Sequence, residues 1–213
     1  MTESTTVTSK DGLHLEAELD APKEPVGSIT VCHPHPQMGG TMNAPLLLAL
    51  RDALVESGRA VLRFNFRGIG ASDGEASTGA AEVADALGAL EYAKERFPSL
   101  AHGLLGWSFG GAVAVRAATR ASDLSACTAI APSVEAKEGV SDGLPPPEDL
   151  RVTVPLLIIC GRNDEVVPPD ACRAWAEAVG ASYREVPGAN HFFWARYNEL
   201  CDLVVTFLEE EMG

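Results

Sequence analysis

The chain has 213 residues, 46% of them apolar, and a formal charge of −14. That length fits one domain with a substantial core, spanning residues 1–213. The acidic balance argues against nucleic acid and anionic lipid as partners, and no apolar stretch approaches the roughly 18 residues of a membrane span.

The N-terminus, Met1-Thr-Glu-Ser-Thr-Thr6, has neither a basic region nor an apolar run, so no signal peptide is expected. The five cysteines (32, 127, 160, 172 and 201) are scattered, odd in number and without a Cys-x-x-Cys pair. Buried free thiols in a reducing cytoplasm are expected, rather than a disulfide framework or a zinc site.

Residues 7–19 alternate loosely around Lys10-Asp11-Gly12, a hairpin signal. Residues 27–32 read as a buried strand ending in the stiff loop His33-Pro-His-Pro36, closed by Gly39-Gly40. Thr41 to Ser57 reads as a helix with Pro45 in its first turn and Gly58 as its stop. Leu46, Leu47, Leu50 and Leu54 give it one apolar face. A strand over 59–65 leads into the glycine-rich loop 66–74, then a helix over 79–96. The loop lacks both the P-loop ending and the full Gly-x-Gly-x-x-Gly spacing, so it reads as a structural turn.

Residues 102–105 form a brief strand, and the Ala-rich run 110–120 is a strong helix former. Between them lies Gly106-Trp-Ser-Phe-Gly110, which puts Ser108 at a strand-to-helix corner. Glycine is favoured where the arms of so sharp a corner approach. The helix that follows aims unpaired N–H groups and its positive dipole end at the serine. A strand over 125–131 precedes a proline-rich link, 132–153. The apolar run 154–160 is a strand of the doubly buried type, followed by the loop 161–169. A helix over 170–179, a strand over 182–186, the loop 187–192 and a last helix to Glu211 complete the chain.

A hairpin followed by repeated strand-helix units predicts a mostly parallel sheet with helices on both faces. Sites in such sheets lie at the carboxyl ends of the strands, where His33, His35, Ser108, Asp164 and His191 all fall. A serine hydroxyl needs a base within hydrogen-bond reach, and the base needs an acidic partner. Of the five histidines, His14 lies in the hairpin and His102 at a strand start, while His33 and His35 come early. His191 is the expected base. Asp164 is the expected acid, ahead of its neighbours Glu165 and Asp170.

The order Ser108, Asp164, His191 is that of the α/β-hydrolase fold. The chain resembles that superfamily over nearly its whole length, through residues 106–110, 66–72, 161–164 with Val167-Pro168, and 188–191. The loop His33-Pro-His-Pro36 with residues 39–43 is similar to that of small lidless bacterial hydrolases related to dienelactone hydrolases. Those use a cysteine nucleophile. Serine here implies a carboxylesterase-like enzyme that cleaves small esters or thioesters through an acyl-enzyme, without cofactor or metal, as a monomer or homodimer.

The resemblance also implies an oxyanion hole. One donor is expected to be the main-chain N–H of Phe109 and the other that of His35, since Pro34 and Pro36 have none. Trp107, Phe109, Phe192, Phe193 and Trp194 cluster around Ser108 and His191 in sequence. The candidates to line an apolar substrate pocket are Trp107, Phe192 and Phe193, and core packing is the competing role for the group. Two other readings are a noncatalytic binding module of the same fold and a metal-dependent hydrolase using His33 and His35. In α/β-hydrolases a lid usually follows the sixth strand. Residues 132–153 are too short and too rich in glycine and proline to build one, so an open site for short, water-soluble esters is expected.

Overall fold

The computed structural model describes residues 2–150 and 153–213, so Arg151 and Val152 of the proline-rich link lie outside the described residues. In chain order the elements are β1 (Thr2–Thr8), β2 (His14–Asp20), β3 (Gly27–Cys32), α1 (Pro45–Glu56), β4 (Arg59–Phe64), α2 (Glu82–Arg96) and β5 (Ala101–Trp107). They continue with α3 (Phe109–Ala118), β6 (Ala126–Ile130), β7 (Leu156–Gly161), α4 (Pro169–Val179), β8 (Ser182–Val186) and α5 (Tyr197–Met212).

The strands form one sheet in the order β1-β2-β4-β3-β5-β6-β7-β8. The β1-β2 hairpin and the β2-β4 pair are antiparallel; every pairing from β4 to β8 is parallel. This is the expected α/β-hydrolase architecture. The central strands are buried on both faces, and alternate residues feed two cores. Leu104, Cys127 and Ile158 face α2, α3 and α4, whereas Leu105, Ala126 and Ile159 face α1 and α5. The four leucines expected on α1 meet Leu200, Val204 and Leu208 of α5 there.

Among the boundaries that differ from the sequence expectation, three have a clear local reason. The α1 helix starts at Pro45, not Thr41, because proline suits the first helical position and residues 41–44 form a separate turn. The α2 helix starts at Glu82, because its carboxylate turns back to accept from the Ser77 and Gly79 N–H groups at 2.6 and 3.0 Å. The β1 strand reaches back to Thr2. It is an edge strand in which only Val7 is fully buried, so no apolar alternation marks its start.

The glycine-rich loop 66–74 is a structural turn. Arg67 donates from Nε and Nη2 to the fully buried Asp85, with a shortest distance of 2.7 Å, and its N–H donates to the same carboxylate at 3.0 Å. Burial raises the Asp85 carboxyl even against that pairing.

The link after β6 lies against α3 and α4. Arg116 of α3 donates to the carbonyls of Asp142 and Gly143 at 2.8 and 2.9 Å. The Asp142 carboxylate accepts from Thr78 Oγ1 and Ala80 N–H, and Trp175 of α4 donates to the Pro145 carbonyl. Among the described residues the link is tied down by these bonds, and none of it lines the cleft beside Ser108.

Candidate active site

The parallel register sets Cys32 opposite Gly106, Trp107 opposite Ile130 and Gly161 opposite Val186. The loops after β3, β5, β7 and β8 therefore meet at one edge. Ser108 stands at the β5–α3 corner with φ 57° and ψ −118°, a left-handed backbone that costs a non-glycine residue on the order of 1–3 kcal/mol. Its N–H donates to the Ile130 carbonyl at 2.8 Å, which pins the corner to β6. A Cβ on Gly106 would sit 2.1 Å from the Gly110 carbonyl oxygen, and one on Gly110 would sit 2.3 Å from those of Cys32 and His33. Both glycines are thus required by close backbone approach, not only by turn geometry.

Ser108 Oγ lies 3.1 Å from His191 Nε2, and His191 Nδ1 lies 2.8 Å from Asp164 Oδ2. The other carboxylate oxygen, Oδ1, accepts from the N–H groups of Val166 and Val167, both at 2.8 Å. An ionised carboxylate can only accept, so the Nδ1 proton points at Asp164 and the Nε2 lone pair at the serine. Two main-chain bonds, Asn163 N–H to Ala189 O and Arg162 N–H to Val186 O, lock the two loops together. Trp107 Nε1 donates to the His191 carbonyl at 3.2 Å. All three side chains are buried. The rivals stand elsewhere: Glu165 and Asp170 are exposed, and Asp170 pairs with Arg173. His14 is exposed beside Asp73, and His102 hydrogen-bonds Ser28 at the opposite end of the sheet.

The early histidines are main-chain fasteners. His33 Nδ1 donates to the Pro34 carbonyl at 2.7 Å while Nε2 accepts from the Phe66 N–H at 3.0 Å. Burial lowers its pKa to about 4, so it stays neutral. His35 Nδ1 accepts from the Gln37 N–H at 3.2 Å, and Nε2 donates to the Val140 carbonyl at 2.8 Å. All four ring nitrogens are engaged, so the pair offers no free lone pair to a metal. Among the described residues, no group of three or more His, Cys, Asp and Glu could hold a metal ion. The His35 ring packs on Phe109 with centroids 5.0 Å apart. The main-chain N–H groups of His35 and Phe109 have no hydrogen-bond partner among the described residues. Phe109 is the first residue of α3, where an unpaired N–H is expected.

A cleft of about 360 Å³ opens beside Ser108 and His191. Trp107 and Phe192 line it. Phe193 does not: it is fully buried in the core shared with α1 and α5. The chain turns there with φ 53° at Phe193 and 60° at Ala195, which sends Phe193 inward and Trp194 outward. Trp194, which the sequence left open between pocket and core, also lines the cleft, as do Met38 and Val166, which the sequence did not single out for it. The run Phe192-Phe193-Trp194 marked an aromatic cluster but had no period from which to sort its faces. Met38 carried no signal at all.

Residues 24–150 match the family model described as serine aminopeptidase, S33. An uncharacterized protein of Rickettsia prowazekii is 31% identical over 202 residues, covering 90% of this chain and 82% of its own. The structure of an α/β serine hydrolase homologue from Coxiella burnetii is similar with a TM-score of 0.84 and 32% identity, covering 97% of each chain. A Xanthomonas campestris α/β serine hydrolase without a lid gives a TM-score of 0.83 at 29% identity, covering 100% of this chain and 95% of that one.

Proposed function

The chain belongs to the α/β-hydrolase superfamily, as a lidless serine hydrolase of the bacterial type, and we propose that it cleaves small carboxylic esters through an acyl-enzyme on Ser108. The observation that carries this reading is the continuous, buried hydrogen-bond chain from Ser108 through His191 to Asp164. Ser108 Oγ attacks the ester carbonyl and His191 Nε2 takes its proton. The oxyanion that forms is received by the N–H groups of Phe109 and His35. His191 returns the proton to the leaving alcohol. Water then enters by the same route and releases the carboxylic acid.

The tethered link after β6 supports an open site for acyl groups short enough to stay dissolved. Thioesters of neutral thiols fit the same chemistry. The five cysteines are free and buried, which supports a cytoplasmic setting. The test is hydrolysis of p-nitrophenyl butyrate with fluorophosphonate labelling, on wild type and Ser108→Ala. The variant is expected to lose kcat by on the order of a million-fold, and its label. Turnover and labelling that survive the substitution, with contamination excluded, refute the assignment and leave a binding module of the same fold.

A further inference from the structure

Five large hydrophobic side chains are exposed among the described residues, and four of them stand around this one cleft: Met38 (82%), Trp194 (64%), Val166 (61%) and Phe192 (41%). The fifth, Val26, lies beside Gly58, outside the cleft lining. Single exposed hydrophobics are ordinary; a cluster at the mouth of a pocket is not. The cleft also carries no Asp, Glu, Lys or Arg among its described lining residues, in a chain of formal charge −14.

The aromatic part of the rim is ordered. From His191 the rings run outward to Phe192, edge-on at 5.5 Å, and then to Trp194, stacked on Phe192 at 5.0 Å and 18°. The left-handed residues Phe193 and Ala195 flank Trp194, and the buried Phe193 anchors the turn. Non-glycine residues hold such backbone only where the surroundings enforce it, so the outward display of Trp194 is built into the fold.

We propose that Met38, Phe192 and Trp194 form an acyl-binding slot, and that the slot takes an uncharged apolar acyl group of hexanoyl to octanoyl size or a single aromatic ring. This rests on the ester-hydrolase reading. The rim is continuous with the pocket that holds Ser108 and His191, so its occupant is the part of the substrate next to the reacting carbonyl. A second copy of the chain or a lipid surface on the same rim would cover Ser108 as well. At about 360 Å³ the whole cleft falls at the small end of the range for ligand pockets, which leaves room for a small acyl group and not for a long chain. With no carboxylate in the cleft, nothing neutralises an α-ammonium. The slot therefore rejects aminoacyl substrates, despite the name of the family model that matches.

The experiment measures kcat/KM for p-nitrophenyl acetate, butyrate, hexanoate and octanoate below their solubility limits. Alanine p-nitroanilide is the charged control, and sedimentation velocity runs in parallel. The proteins are wild type, Ser108→Ala, Met38→Ala and Trp194→Ala; both rim residues are exposed, so the variants fold. A fully buried methylene contributes about fourfold, so a half-open slot should raise kcat/KM about tenfold or more from acetate to hexanoate. Trp194→Ala should lose about tenfold on octanoate and far less on acetate, with Met38→Ala between it and wild type. A flat or falling series in wild type, an equal loss on all four esters, or ready cleavage of the anilide overturns the slot. So does a wild-type dimer that Trp194→Ala splits without changing the acyl profile, which assigns the rim to a second copy. Hydrolysis that persists in Ser108→Ala instead overturns the underlying hydrolase reading, so the two failures are distinguishable.

Discussion

The inner edge of the cleft and its rim are built in opposite ways. At the inner edge the polar side chains are buried and engaged: Asp164 by two N–H groups and His191, His33 and His35 by main-chain partners on both ring nitrogens. At the rim, Met38, Val166 and Trp194 stand exposed. The edge sets proton positions to within a hydrogen bond, whereas the rim offers apolar area of adjustable shape. Substitutions at the edge should therefore change the rate of chemistry by orders of magnitude, and substitutions at the rim should only redistribute preference among substrates.

The largest effect that sharpens this contrast, after loss of the nucleophile itself, comes from Asp164→Asn. An asparagine amide can donate to His191 Nδ1, which moves the imidazole proton to Nε2 and removes the lone pair facing Ser108. The geometry stays while the tautomer is wrong, and kcat should fall about ten-thousand-fold. The check is steady-state kinetics on a soluble ester together with a thermal melt. A variant within tenfold of wild type would mean that the carboxylate does not hold the base, and the edge would lose its special status.

The pH dependence of stability isolates a fastener of the same edge. In the folded protein His33 is buried and its pKa is lowered to about 4, against 6.5 for an ordinary histidine. Between those values the unfolded chain binds a proton that the folded chain refuses. The contribution is thus fully present above about pH 6.5 and is lost as pH falls toward about 4, at up to about 1.4 kcal/mol per pH unit. Protonation would also set a hydrogen on Nε2 against the Phe66 N–H. Urea unfolding of wild type and His33→Asn at pH 7, 6 and 5 should show a steeper loss for wild type. Equal slopes would sink the account.

The edge was more legible in the sequence than the rim. Gly106 and Gly110 bracket Ser108 at fixed spacing, and the apolar strands before Ser108 and Asp164 mark where the sheet ends. The chain order of the three side chains carried the resemblance. These signals are local, or repeat with a period. What could not be read depends on contacts between distant loops. Nothing near His35 says that its ring meets the carbonyl of Val140, and nothing near His33 points to the Phe66 N–H. The split between Phe193 and Trp194 depends on two left-handed residues, one of them an alanine with no turn signature.

That alanine provides the smallest expected effect. Ala195 is exposed, with φ 60°, and an L-residue pays roughly 1–2 kcal/mol for that region while glycine pays almost nothing. Glycine in turn loses more backbone freedom on folding, by roughly 0.5–1 kcal/mol relative to alanine. Ala195→Gly should therefore raise stability by about 0.5–1 kcal/mol. The same change widens the conformations open to Trp194, which leaves Phe193 as its only anchor on that side. If the rim works as an ordered slot, the stabilised variant should lose a few-fold in kcat/KM on octanoate, while acetate changes less. Urea melts and the two esters together decide it. A variant that is both more stable and unchanged on octanoate would mean that the strain at 195 serves the turn alone, and that Trp194 is displayed by Phe193 and its stacking on Phe192.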